Sequence, residues 1–350
     1  MRLSSWKRRG TQFLEQGWSR LPAPADDAPL HEVDTSDGWR LLIAEYGVGN
    51  TGPVVYLQHG LAASHLAFDI HPHGFSPARF LAAQGYRVFA GNLRGRPGCD
   101  GVDTGRAADW TLSDYLLRDL PALIGFLHEH TGERVHWVGH SMGGILGLSY
   151  VAHFGHAQVA SVTTLGTALH YGLGANIFSH INRLRPALRL LQRIPYRMVQ
   201  KLYAPLAVLG VPPSRMQVNR HNVSQETMAA IAGNVFVDLT MAELLELSST
   251  FDGEGIRCHE LDCLLPELAA TLSVPWLSVM GAADLQCPPA CADWTFERIT
   301  SPRKVRLMAG KESGHRLDYG HFDLLCGRHA DVEIWTPIHS FLESLAVESQ

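Results

Sequence analysis

Six short runs of apolar and β-branched residues recur along the chain: Pro53–Gln58, Tyr86–Gly91, Val135–Gly139, Val159–Leu165, Val274–Met280 and Val305–Met308. Each is apolar at successive positions, so the strand it predicts must be covered on both faces. The segments between them have room for helices. In Asp109–His130, Leu112, Leu116, Leu120, Leu123 and Leu127 recur at threes and fours, and Thr131-Gly132 supplies a stop. The final segment, Val332–Leu345, has similar spacing interrupted by Pro337. Strands buried on both faces and separated by helices predict an α/β chain with a mostly parallel central sheet.

Residues 169–272 do not continue the alternation. Pro186, Pro195, Pro205 and Pro212-Pro213 divide them into helical stretches. They read as a mainly helical cap inserted between the strands Val159–Leu165 and Val274–Met280. The expected organisation is therefore an N-terminal amphipathic segment (1–30), a first part of the core (31–168), the cap (169–272) and a second part of the core (273–350). No Asp or Glu occurs between Glu133 and Glu226, whereas Arg185, Arg189, Arg193, Arg197 and Lys201 recur every four residues. On one helix they would form a basic stripe, either a solvated face or a contact for anionic lipid. Leu3, Trp6, Phe13, Leu14 and Trp18 leave the same two readings open for the N-terminal segment: packing on the domain or peripheral contact with a membrane.

Composition excludes several classes. With 46% apolar and 18% charged residues the chain reads as globular, and a net charge of -5 gives no case for a nucleic-acid partner. The six cysteines include no C-x-x-C pair, so free thiols in a reducing compartment are expected. Arg2, Lys7, Arg8 and Arg9 are followed by no apolar signal region, and no run approaches the roughly 20 apolar residues of a membrane span. The expectation is a soluble, cytoplasmic protein.

Chemistry concentrates at the strand ends. Gly139-His140-Ser141-Met142-Gly143 follows the run Val135–Val138 and precedes an apolar helix, the context in which G-x-S-x-G exposes a serine on a sharp turn. A serine hydroxyl attacks only when a base takes its proton and an acid orients that base. Asp284 ends the loop Gly281-Ala282-Ala283-Asp284 after a predicted strand and is the acid candidate, with Asp293 and Asp262 behind it. Two histidines lie in the loop after the last strand, His315 and His321, and both satisfy the order serine, acid, histidine. Oxyanion donors are expected from the amides of Met142 and of Leu61, the latter in His59-Gly60-Leu61 after another strand.

At these residues the chain resembles the acid lipases of the α/β-hydrolase superfamily and, more distantly, the polyhydroxyalkanoate synthases. The resemblance is carried by Leu57-Gln58-His59-Gly60-Leu61, Gly91-Asn92-Leu93-Arg94-Gly95, Asp119-Leu120-Pro121-Ala122, the serine turn and Tyr319-Gly320-His321-Phe322-Asp323. It implies the α/β-hydrolase fold, and its His-x-Asp pattern selects His321 over His315. The synthases use a cysteine nucleophile where Ser141 stands, which argues against polymer synthesis. The implied activity is hydrolysis of carboxylic esters of lipophilic acyl groups. An acyltransferase or thioesterase using the same triad is the alternative, and a non-catalytic binding protein of the same fold is a more distant one.

Arg94 reads as a brace for its loop. The pairs His71/His73, His128/His130 and His153/His156 lack the His-Glu-x-x-His pattern, and no glycine run is framed as a dinucleotide site, so neither metal nor cofactor is expected.

Overall fold

All six runs become strands in the computed structural model, which describes residues 27–101, 109–173, 192–207, 216–252 and 255–348. Two further strands precede them: β1 (Leu30–Asp34) and β2 (Trp39–Tyr46). The six are β3 (Val54–Gln58), β4 (Arg87–Gly91), β5 (Val135–His140), β6 (Val159–Leu165), β7 (Trp276–Gly281) and β8 (Lys304–Ala309). They lie in the order β1-β2-β4-β3-β5-β6-β7-β8, and the two-residue strand Asp100–Gly101 pairs with β2. β3 to β8 run parallel, whereas β2 is antiparallel to both β1 and β4. Only Val33 of β1 is buried, so this edge strand has too little apolar pattern to be found by periodicity.

Successive residues of a strand point to opposite faces, and the core divides accordingly. Val54, Tyr56, Val135 and Trp137 join one apolar cluster, with the helices α2 (Leu120–Thr131) and α3 (Met142–Phe154). Val55, Leu57, Val138 and Val279 join the other, with α1 (Pro77–Ala83) and the C-terminal helix Thr336–Glu348. Burying each such aliphatic side chain contributes about 1.5–3 kcal/mol, which is why the parallel strands need helices on both faces.

Leu112–Thr131 is one helical run opened by a capping box between Thr111 and Asp114 and closed by Gly132 at φ 72°. Its turn Tyr115–Asp119 is widened to π geometry just before Pro121, and Asp331–Trp335 is widened in the same way just before Pro337. In both places proline has no N–H for the carbonyl four residues back, and the wide turn relieves the clash without ending the helix.

Between β6 and β7 the described residues form α4 (Tyr196–Ala207), α5 (Gln225–Ala230), α6 (Met241–Leu247) and two short antiparallel strand pairs, Arg193–Ile194 with Leu239–Thr240 and Arg257–Cys258 with Cys263–Leu264. Ile231, Val235 and Phe236 join the second core cluster, and Ile256, Leu265 and Leu272 the first, so this segment shares the core of the sheet. The basic stripe is not one helix face. Arg193 sits in a strand, and Pro195 separates it from α4, which carries Arg197 and Lys201. Arg185, Arg189 and residues 1–26 of the N-terminal segment lie outside the described residues. All six cysteines are free thiols. Among the described residues no helix is long and apolar enough to cross a membrane.

Candidate active site

Ser141 stands between β5 and α3 with φ 54° and ψ -120°. A side-chain-bearing residue rarely adopts this conformation, and it persists only where its surroundings hold it. Here the Ser141 amide donates to the Leu165 carbonyl on β6 at 2.8 Å, and its carbonyl accepts from Thr167 Oγ1 at 3.0 Å. The turn also brings α3 against β3. A Cβ on Gly143 would lie 2.1 Å from the Gln58 carbonyl oxygen, so only glycine fits there.

β7 and β8 deliver the partners. The Asp284 carboxylate is buried and fully engaged. One oxygen accepts the Gln286 and Cys287 amides at 2.8 Å each, and the other accepts His321 Nδ1–H at 2.7 Å. With Nδ1 engaged, Nε2 is the nitrogen His321 has left for the cavity its ring lines beside Ser141. The Ala283 amide donates to the Tyr319 carbonyl at 2.8 Å, tying the acid loop to the histidine loop. Asp323, two residues past His321, braces that loop by accepting from Gly320 N at 2.8 Å, Asn219 N at 3.2 Å and Asn222 Nδ2 at 2.7 Å. Its own burial pushes its carboxyl up to about 6 despite those donors.

The other candidates stand elsewhere. His315 Nδ1 bonds the Gly310 carbonyl at 3.1 Å, Asp293 pairs with Arg306 at 3.1 Å, and exposed Asp262 pairs with Arg257 at 3.3 Å. Leu61 and Met142 both border a second, smaller cavity together with Ser141. As the first residue of α3, Met142 has an amide without an intrahelical acceptor. His59 holds the turn before Leu61. Its Nδ1–H donates to Gly60 O at 2.9 Å and its Nε2 accepts the Leu93 amide at 3.4 Å. Burial and the Arg96 charge hold His59 well below the usual histidine range, so it braces as the neutral ring. Arg94 is indeed a brace, bonding Asp119 at 2.7 Å and Asp37 at 2.8 Å.

Three participants escaped the sequence. Gly166, with φ +58°, lies so close beneath the acid–base pair that a Cβ would be 3.0 Å from both Asp284 Oδ2 and His321 Nδ1. His140 is buried and donates Nε2–H to the His321 carbonyl at 3.2 Å, with ring centroids 4.6 Å apart. Burial first, and the neighbouring His321 ring second, keep it well below the usual histidine range. The third is the apolar cavity wall, built by Tyr196, Phe236, Leu239 and Leu244 from the segment between β6 and β7. A glycine after a strand was visible in the sequence. Its contact with two loops more than 100 residues downstream was not.

Among the described residues, His31, Glu45 and His130 form a group whose possible metal-ligand atoms lie within 4.8 Å of one another. They sit on β1, β2 and the end of α2, and none of them lines the Ser141 cavities.

A profile of the family described as serine aminopeptidase, S33, matches residues 51–317. Among curated proteins, triacylglycerol lipase 2 of Arabidopsis thaliana is 29% identical over 150 residues, covering 39% of this chain and 36% of its own length. Human gastric triacylglycerol lipase is 36% identical over 130 residues, covering 33% of each chain. The chain thus matches about a third of the length of these relatives. Among solved structures, a thermophilic esterase from Thermogutta terrifontis superposes with a TM-score of 0.60 at 17% identity, over 91% of this chain and 99% of its own. That likeness shows the fold.

Proposed function

The chain belongs to the serine aminopeptidase S33 family within the α/β-hydrolase superfamily, and from that premise we propose that it hydrolyses carboxylic esters of lipophilic acyl groups through an acyl-enzyme on Ser141. The observation that carries this reading is the 2.7 Å bond between buried Asp284 and His321, whose ring shares a cavity with a serine held at φ 54°. His321 Nε2 takes the Ser141 proton as Oγ attacks the ester carbonyl. The amides of Leu61 and Met142 hold the oxyanion, and Asp284 stabilises the imidazolium. The imidazolium then gives its proton to the departing alkoxide. Water, deprotonated by the same His321, attacks the acyl-enzyme and frees the acid and Ser141. We assign residues 169–272 the role of a cap, because the described part of this segment supplies most of the apolar cavity wall.

The test is turnover of p-nitrophenyl esters from acetate to palmitate by wild type and Ser141→Ala, with covalent labelling of Ser141 by a fluorophosphonate probe. The expected result is labelled, active wild type and a kcat lower by about 10⁴-fold or more in the variant. Ser141→Ala turning over like wild type overturns the mechanism. Acyl transfer to added alcohols or amines in place of hydrolysis would assign the same acyl-enzyme to a transferase.

A further inference from the structure

Two cavities meet at Ser141. The larger, about 190 Å³, is walled by Ile194, Tyr196, Phe236, Leu239 and Phe322. The smaller, about 40 Å³, is walled by Ile145, Leu247 and the hydroxyl-bearing Tyr171, Ser248 and Thr250. They have Leu61, Ser141, Leu244 and Gln286 in common. Three of these four have work to do around the reaction: Ser141 is the nucleophile, Leu61 brings an amide, and the Gln286 amide holds Asp284 at 2.8 Å. Among the described residues, Leu244 is the one of the four with no other part in the reaction.

α6, which carries Leu244, is clamped. Glu243 and Glu246 are three residues apart and share one side of the helix. Both are buried, Glu243 taking Arg96 Nη2–H at 2.8 Å and Glu246 taking the amides of Ser113 at 3.0 Å and His259 at 3.1 Å, along with the Ser113 hydroxyl. Leu244 and Leu247, also three apart, turn the neighbouring side to the cavities, Leu247 to the smaller one only. The carboxylates hold the helix against the core, so the wall that Leu244 presents is set by buried ion pairing and hydrogen bonding rather than by a loose apolar contact.

Resting on the ester-hydrolase reading, we propose that Leu244 is a specificity-determining partition that assigns the two ends of the ester to separate spaces. The larger, apolar space takes the acyl chain. Its volume is several times that of the smaller space, so of the two it is the one with room for a chain of several carbons. The smaller space, of about 40 Å³, has room only for a short alcohol. The substrate class is therefore medium-chain acyl esters of small alcohols. Removing the partition joins the spaces and admits longer chains; enlarging it shortens the larger space.

The experiment compares kcat/KM for wild type, Leu244→Ala and Leu244→Phe on two series: p-nitrophenyl esters from acetate to palmitate, and hexanoate esters of methanol to octanol. Wild type should be best near hexanoate to octanoate and prefer the shorter alcohols. In Leu244→Ala the dodecanoate-to-hexanoate ratio should rise roughly tenfold, and in Leu244→Phe it should fall by a similar factor. Thermal melting verifies folding, and if Leu244→Ala does not fold, the opposite shift in Leu244→Phe still decides. Profiles that superimpose on wild type overturn the partition, as does length selection confined to the alcohol series. Absence of wild-type turnover on every ester is a different result: it refutes the ester-hydrolase reading and the partition with it.

Discussion

Replacing Gly166 by alanine puts one methyl group under the acid–base pair. The backbone there has φ +58°, where an L-residue with a Cβ is disfavoured by about 1–2 kcal/mol. The added carbon would also lie 3.0 Å from Asp284 Oδ2, 3.0 Å from His321 Nδ1 and 3.2 Å from His321 Cε1. These atoms are not flexible ends, because Asp284 is held by two amides and His321 by the carboxylate and by His140. Relief must therefore come from a shift of a few tenths of an ångström in the 2.7 Å bond that orients the base. A 1 Å misplacement of catalytic groups lowers rates by about 100-fold, so a shift of a few tenths of an ångström should lower kcat by about 3- to 10-fold, with KM little changed because no substrate contact is removed. The melting temperature of a chain of 350 residues should fall by about 1–2 °C for each kcal/mol lost. Steady-state hydrolysis of p-nitrophenyl hexanoate with a parallel thermal melt measures both. A kcat within about twofold of wild type refutes the reasoning, since it would mean that the pair tolerates displacement or does not orient the base.

Arg96→Met leaves the fully buried Glu243 carboxylate without its cation and should destabilise the protein by about 3–5 kcal/mol in urea unfolding, whereas Arg96→Met with Glu243→Leu should recover most of that loss. A single variant that loses less than about 1 kcal/mol would show that α6 is not held by this pair. Asp323 predicts a pH dependence. Its carboxyl is raised to about 6 in the fold from an unfolded value near 3.9, so the stability it contributes is full below about pH 4 and is lost as pH rises through about 6, by up to about 3 kcal/mol. The stability difference between wild type and Asp323→Asn should therefore decline by that amount from pH 4 to pH 7. A difference that is flat or grows with pH counts against a buried, proton-favouring Asp323.

Much of the fold was legible because its signals are local. A strand buried on both faces must be apolar at successive positions, so β3 to β7 announced themselves; the edge strand β8, with Ala309 alone buried, showed through Val305, Leu307 and Met308, whereas β1, with Val33 alone buried, did not show. Ser141, Asp284 and His321 could be named as candidates because each lies at or in the loop that follows a strand, and chain order with the resemblance ranked them. The basic stripe misled because spacing by four assumes one unbroken helix, and Pro195 puts Arg193 into a strand instead. Where the resemblance ranked His321 above His315, the tertiary structure brings His321 and not His315 to Asp284, since bonding depends on how two loops from β7 and β8 fold over one another. It also decided what surrounds the serine. Gly166, His140 and Leu244 act through atoms far away in the chain, and only the packing of the segment between β6 and β7 onto the sheet brings a divided apolar space to Ser141. Periodicity reports which side of an element is buried, but carries no information about which distant side chain buries it.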